Sequence, residues 1–193
     1  ILVSGSRNGK IHILDAQRGD LLEVIEVHTE PVDGLVFSQN GKMMASRSLD
    51  NKIIIWETKS WQQLQVFDFL TTTYEMAFSP NEDMIAISYF RGISLWDIEN
   101  KKTVFTHVPV LDERFTSSDY VFTFSPDGQM LAFGNGVFEG DNFFIFDLHN
   151  AKIVASFELS IEESQIESLA FSPDGKKIAL GHDDGTISLY AIP

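Results

Sequence analysis

A short phrase recurs four times along this chain, and its recurrence constrains the fold more than any other feature of the sequence. The phrase begins with Phe-Ser and continues into a turn: FSQNGK at 37–42, FSPNED at 78–83, FSPDGQ at 124–129 and FSPDGK at 171–176. The phenylalanines are 41, 46 and 47 residues apart. A nearly constant period of this size is typical of a protein made of similar, stacked units.

A second, strand-like phrase follows each turn phrase. Its copies are KIIIWE at 52–57, GISLWD at 92–97, FFIFDL at 143–148 and TISLYA at 186–191, with KIHILD at 10–15 as a fifth. Each period contains four short runs rich in β-branched and aromatic residues, which in the second unit are 32–38, 42–48, 52–57 and 62–68. Asn-Gly and Asp-Gly pairs between runs favour tight hairpins. Because no helical period is present, the pattern predicts an all-β chain of four-stranded antiparallel units.

Four strands per period and a Trp-Asp ending make the sequence similar to the WD40 family of β-propellers. Trp96-Asp97 is the family's characteristic dipeptide, and degenerate copies of it are Trp56-Glu57, Leu14-Asp15 and Phe146-Asp147. The resemblance covers the whole chain. It implies a partial blade at 1–30, blades at 31–71, 72–108 and 109–159, and a partial blade at 160–193.

The implied order is three strands, then three sets of four, then three, which amounts to about four and a half blades. Propellers usually close with about 4–8 complete blades, so we expect these residues to be part of a larger ring. A seven-bladed ring would need roughly 100 more residues at ~43 per blade.

The resemblance also implies a structural role for a set of polar and aromatic residues. The family's hydrogen-bonded His–Ser–Asp–Trp network maps onto His28, Ser46, Asp50 and Trp56. A buried imidazole and a buried carboxylate each need partners, and in such a network they satisfy one another. The alternative is that the His–Asp pair is catalytic, but the family context favours the structural role. We expect a structural role for two further residues, Trp96 and Asp97.

The composition argues against several classes of function. The chain has 14 basic and 28 acidic residues, a formal net charge of −14, and no cysteine. It lacks the clusters of Lys and Arg that bind nucleic acid or an anionic membrane surface, and the thiols that some metal sites and nucleophiles require. No apolar stretch is long enough to span a bilayer and no signal peptide is visible, so a cytoplasmic location is favoured.

No catalytic motif is present in the sequence: it contains no G-x-S-x-G, no H-E-x-x-H and no P-loop. The five histidines, at 12, 28, 107, 149 and 182, lie outside metal-ligand spacing of one another. His12 and His182 are expected to be ordinary half-exposed strand residues. We therefore expect no catalytic residue, no metal and no cofactor, and a protein that is not an enzyme.

Two expanded loops, at 106–120 and 135–142, are the main departures from the repeat. In the family's topology both lie on one face of the ring, where 158–165 and 89–92 border them. Aromatic residues rimmed by charge are typical of a protein-binding patch. The alternative is that Phe115 and Phe138 cap the core of their own blade. The candidate partner-binding residues are Phe90, Arg91, Asp112, Glu113, Arg114, Phe115, Phe138, Glu139 and Ile161.

These features predict a scaffold or adaptor that binds proteins or peptides, and the acidic charge suits basic partners. The alternative is a regulatory or sensor propeller of a larger hydrolase, protease or NTPase whose catalytic part lies outside this chain. A third hypothesis is a small-ligand site in the central channel, with the expected lining residues Glu30, Asp33, Tyr74, Glu75, Asp119 and Glu167.

Overall fold

The computed structural model describes residues 1–90, 92–107, 120–134, 141–158 and 165–192. Every regular element within these ranges is a β-strand, and all the pairings between strands of one unit are antiparallel. The all-β prediction is therefore confirmed. In the part of the chain that the structure describes, no helix has the length and apolar character needed to cross a membrane.

Eighteen strands follow one another along the described chain in groups of three, four, four, four and three, as predicted. The chain divides into two compact units, Ile1–Phe78 and Ser79–Pro193. Unit 1 contains β1 (Leu2–Gly5), β2 (Lys10–Leu14), β3 (Leu21–Glu26), β4 (Val32–Phe37), β5 (Met43–Ser48), β6 (Lys52–Glu57), β7 (Gln63–Asp68) and β8 (Thr73–Phe78). Unit 2 contains β9 (Met84–Tyr89), β10 (Gly92–Asp97), β11 (Lys102–His107), β12 (Val121–Phe124), β13 (Met130–Gly134), β14 (Asp141–Asp147), β15 (Lys152–Glu158), β16 (Ile166–Phe171), β17 (Lys177–His182) and β18 (Ile187–Ala191).

Unit 1 contains two sheets, with the strand orders β1-β2-β3 and β4-β5-β6-β7. In the second sheet, Ile53 pairs with Arg47 on one side and with Phe67 on the other. The four strands predicted for this sheet agree with the observed ones to within one residue at each end. The recurrent runs of β-branched and aromatic residues, with hairpin turns between them, were thus sufficient to place the strands.

The core of unit 1 is formed by residues from both of these sheets. Trp56 is 1% exposed and packs with buried Ile11, Val32, Met44 and Ile54. Strand β6 reads Ile-Ile-Ile-Trp without alternation, and all four of these side chains are buried. A strand that is covered on both faces reads as a continuous apolar run, which explains the KIIIWE phrase.

Unit 2 contains the paired strands β9-β10-β11 and the sheets β12-β13-β14-β15 and β16-β17-β18. One part of its core joins the last two sheets through buried residues such as Phe143, Ile145 and Leu180. A second part is aromatic. The ring of Phe105 lies 4.2 Å from that of Phe146, centroid to centroid. Much of the chain's aromatic content is therefore core.

The recurrent Phe-Ser phrase forms a turn that is closed by the same hydrogen bond wherever it occurs. The serine Oγ accepts a hydrogen bond from the backbone N–H five residues later, at 2.9–3.1 Å, in the pairs Ser38–Met43, Ser79–Met84, Ser125–Met130 and Ser172–Lys177. The residue three positions after the serine has a positive φ. It is Gly41, Gly128 or Gly175 in three turns and Glu82 in the fourth.

Candidate functional site

His28, Ser46, Asp50 and Trp56 form one continuous chain of hydrogen bonds in unit 1. Nδ1 of His28 lies 3.0 Å from Oδ2 of Asp50, and Nε2 lies 2.9 Å from Oγ of Ser46. Nε1 of Trp56 donates to the same Oγ at 2.9 Å. Because indole N–H can only donate, the Ser46 hydroxyl accepts from Trp56. Its own proton is then available to His28 Nε2 in the tautomer that carries the histidine proton on Nδ1, facing Asp50.

The Asp50 carboxylate has further partners on the backbone. It accepts the N–H of Thr29 at 3.1 Å and that of Lys52 at 3.0 Å. Burial raises the pKa of Asp50, but the N–H of Thr29, the His28 ring and the N–H of Lys52 outweigh burial, so its pKa lies below the ordinary value. The side chain of His28 is completely enclosed and that of Asp50 is 5% exposed. A substrate has no access to the imidazole, and this geometry suits a structural brace.

Further hydrogen bonds hold together loops that come from different strands of unit 1. Ser48 Oγ donates to the carbonyl of Glu30 at 2.9 Å, and the N–H of Leu49 donates to the carbonyl of Pro31 at 3.0 Å. The N–H of Phe69 in turn donates to the carbonyl of Asn51 at 2.9 Å. The turn at 48–52 is thus fixed to the loop before β4 and to the loop after β7.

Two leucines project from these braced loops into solvent. Leu49 is 53% exposed and Leu70 is fully exposed. We call these two residues the leucine surface. Sequence reasoning missed them, although an apolar residue at a turn position, where Gly, Asn, Asp and Ser are usual, was an available signal.

The corresponding loops of unit 2 are also in contact in the last sheet. The N–H of Asp183, in the turn after β17, donates to the carbonyl of Gln165, which precedes β16, at 3.0 Å.

Of the predicted partner-binding residues, Phe90 is half-buried directly after β9. The others lie outside the described residues, so their clustering stays a prediction; they are Arg91, Asp112, Glu113, Arg114, Phe115, Phe138, Glu139 and Ile161.

The Trp-Asp dipeptide lies at the end of β10. Trp96 is half-buried, and Asp97 accepts the backbone N–H and the side-chain amide of Asn100, both at 2.8 Å. These two hydrogen bonds lower the pKa of Asp97. Asp147 binds Asn150 in the same way. The aspartate therefore closes the turn that follows its strand.

Of the residues expected to line a central channel, all but Asp119 lie within the described residues. In unit 1, Asp33 is exposed at its strand and accepts a hydrogen bond from Nε of Arg47 at 2.9 Å. In unit 2, Glu167 is exposed in β16, whereas Asp119 lies outside the described residues. Within the described ranges, no three His, Asp or Glu side chains are grouped so that they could hold a metal ion.

Comparison with known proteins places these features in a family context. The family model "WD domain, G-beta repeat" matches residues 19–57 and 152–190. Periodic tryptophan protein 2 of Saccharomyces cerevisiae is 33% identical over 99 residues, which are 50% of this chain and 11% of that protein. The retinoblastoma-binding protein 5 homolog of Drosophila melanogaster is 23% identical over 98% of this chain and 38% of its own length.

Structural comparison gives a match of similar extent. The β-propeller domain of Cps50 (Swd1) from Myceliophteria thermophila has a TM-score of 0.72 and 18% identity, over 99% of this chain and 63% of that one. In each of these comparisons the chain spans less than two thirds of the other protein. Two segments of the chain match the WD40 repeat, and the chain has the fold of the WD40 β-propellers.

Proposed function

We propose that this chain is a non-catalytic scaffold that binds protein partners through the loops at one edge of its sheets. The observation that carries the proposal is the leucine surface. Leu49 and Leu70 are exposed on loops that are fixed by backbone hydrogen bonds rather than on free ends. Apolar side chains presented on a rigid support are typical of protein recognition.

The rigidity of these loops matters for binding. Ordering a flexible loop costs free energy when a complex forms. A loop that is already held by hydrogen bonds loses less conformational entropy on binding. The network of His28, Ser46, Asp50 and Trp56 and the bonds of Ser48 and Leu49 hold the turn at 48–52 in advance. The brace would thus contribute to affinity without contacting the partner.

The names of relatives support a role in protein assemblies. One is the retinoblastoma-binding protein 5 homolog. Another, from Schizosaccharomyces pombe, is the target of rapamycin complex subunit wat1, which is 19% identical over 99% of this chain and 60% of its own length. The predicted patch around Phe115 and Phe138 would be a separate binding surface of unit 2. Basic partners would suit the net charge of −14.

Site-specific photocrosslinking tests the proposal. A photoreactive amino acid is placed at position 70 of the complete protein in its native cells. Position 64 is the control, since Leu64 is an exposed leucine within strand β7. We expect a partner protein to crosslink from position 70 and not from position 64, and Leu49→Ser to reduce its yield. Equal crosslinking from both positions, or none from position 70, would contradict the use of this surface.

A further inference from the structure

A surface pocket in unit 2 has a wall made by the one Phe-Ser turn that departs from the others. Its volume is about 480 Å³. The turn at 79–84 contributes Asn81, Asp83 and Met84, and the facing side includes Gln129, Leu148 and His149. The lining thus combines a carboxylate and amides with two apolar side chains.

The hydrogen bonding of this turn differs from that of its three counterparts. In those, the serine hydroxyl donates to the residue two positions later: Ser38 to Asn40 at 3.1 Å, Ser125 to Asp127 at 2.6 Å and Ser172 to Asp174 at 2.6 Å. In the turn at 79–84 the hydroxyl of Ser79 donates to Asp83 instead, at 3.0 Å. Nδ2 of Asn81 donates to the other oxygen of Asp83, also at 3.0 Å. The carboxylate has moved by two residues, to the wall of the pocket.

The amino acids of this turn also depart from the turn chemistry that the repeat uses elsewhere. Glu82 has a φ of 64° at the position that is glycine in the three other turns. Asp83 occupies the position of Lys42, Gln129 and Lys176. Local sequence rules are usually broken where function requires it. Here the result of breaking them is a fixed carboxylate that lines the pocket.

The charge of Asp83 has no counterion within the described residues. None of the ion pairs formed there includes Asp83. Each of its oxygens accepts one hydrogen bond from a neutral donor, and an ionised carboxylate has about four acceptor sites. Unit 2 as a whole carries 18 of the 28 acidic residues and 7 of the 14 basic residues. A cationic ligand therefore fits this pocket better than a neutral or anionic one.

The two oxygens of the Asp83 carboxylate and the apolar lining together favour guanidinium as the cation. Guanidinium is planar and can donate two parallel hydrogen bonds to the two oxygens of a carboxylate. Its aliphatic stem lies favourably along apolar groups, which Met84 and the buried Leu148 provide. We propose that this pocket binds an arginine side chain of a protein partner, with the guanidinium on Asp83 and the stem against Met84 and Leu148. This inference rests on the proposed scaffold function.

The chain itself supplies a variant that replaces the carboxylate at position 83 by an amine and returns the turn's carboxylate to the place that it has in two of the other turns. The triple substitution Asn81→Asp, Glu82→Gly, Asp83→Lys converts the turn to the Asp-Gly-Lys sequence that folds normally at 174–176. Glu82→Gly alone is the matched control, since it changes the same turn but keeps Asp83. Asp83→Asn removes the charge with little change of shape.

The probes are N-acetyl-arginine amide and its neutral analogue N-acetyl-citrulline amide, each titrated into the complete protein. Binding is followed by NMR at the backbone amides of Met84, Gln129 and His149. We expect saturable shifts with the arginine probe, an affinity roughly two- to fivefold lower for Asp83→Asn because Asp83 is exposed, no saturation for the triple variant and unchanged affinity for Glu82→Gly. An absence of saturation in the wild type, or an equal response to the citrulline probe or in the triple variant, would overturn the inference.

The two proposals can fail separately. The crosslinking experiment uses residues of unit 1, and the titration uses residues of unit 2 and a defined small molecule. If crosslinking from position 70 succeeds while the arginine probe does not bind, the pocket assignment is wrong and the scaffold function stands. If the probe binds while crosslinking from position 70 fails, the leucine surface is not the docking site.

Discussion

Nδ1 of His28 lies 3.0 Å from Oδ2 of Asp50, although the two residues are 22 positions apart in the sequence. This pair links the loop before β4 to the turn after β5. Asp50→Ala would leave the enclosed imidazole and the N–H of Thr29 without their acceptor, so we expect it to lower the free energy of unfolding by about 1–3 kcal/mol. Urea denaturation measures the change. Asp68→Ala, at an exposed ion pair with Lys52, is the control and should change stability little.

Trp56 anchors the core of unit 1 in addition to its bond with Ser46. Trp56→Ala would leave a large cavity beside Ile11 and Met44 and should cost about 3–5 kcal/mol. Trp56→Phe keeps a ring in the site and loses the N–H donor, so its cost should be smaller. Chemical denaturation of both variants checks the order, and an unfolding midpoint for Trp56→Ala equal to that of the wild type would show that this burial is misassigned.

We expect His107 to make the stability of unit 2 dependent on pH. Its ring lies within 6.2 Å, centroid to centroid, of those of Phe105, Tyr120, Phe133 and Phe144. Burial lowers the pKa of His107 below its ordinary value of 6.5. The unfolded chain then binds this proton more readily than the folded one, so stability is lost as the pH falls through 6.5 towards the folded pKa.

His107→Phe should remove this contribution, because phenylalanine does not titrate. Urea midpoints of the wild type and the variant, measured from about pH 7.5 to about pH 5, test the expectation. The wild-type midpoint should fall more steeply over this range than that of the variant. Parallel curves for the two proteins would mean that His107 does not carry the dependence.

Sequence patterns predicted the strand order and the residues of the brace, because both depend on spacing. A turn at fixed intervals sets the hairpins, and the positions of His28, Ser46, Asp50 and Trp56 follow the family's spacing. Patterns did not predict the burial of a second histidine. His182 was expected to be half-exposed, but it is 6% exposed and its Nε2 lies 2.9 Å from Oγ of Ser188. The expectation was wrong because the position of a residue along a strand does not reveal how far neighbouring residues cover its side chain.

Gly9 and Gly41 allow backbone strain to be separated from steric exclusion. Both have positive φ, but a Cβ on Gly9 would lie 2.1 Å from the carbonyl oxygen of His28, whereas one on Gly41 would have open space around it. Gly41→Ala should cost about 1 kcal/mol from backbone strain. Gly9→Ala should cost roughly 2–5 kcal/mol, because the clash is added. Thermal or urea unfolding of the two variants measures the difference, and equal losses would contradict the close approach.

Glu82 offers a stabilising substitution. A residue with a Cβ pays about 1–2 kcal/mol for the left-handed conformation, and glycine loses more backbone entropy on folding, by about 0.5–1 kcal/mol. Glu82→Gly should therefore raise the free energy of unfolding by about 0.5–1 kcal/mol. Urea denaturation is the measurement. A less stable variant would mean that the Glu82 side chain contributes more than its backbone strain costs.

The repeated serine turn has a consequence for how the chain reaches its fold. Each turn closes within five residues, and within each unit the paired strands are consecutive in sequence. Most pairing therefore joins residues that are close in sequence, which gives the fold a low contact order. Little chain entropy is lost before the contacts of each hairpin form. A β-sheet protein with this connectivity should fold hairpin by hairpin. Its folding rate should be nearer to that of mixed α/β domains than to that of β-sandwiches.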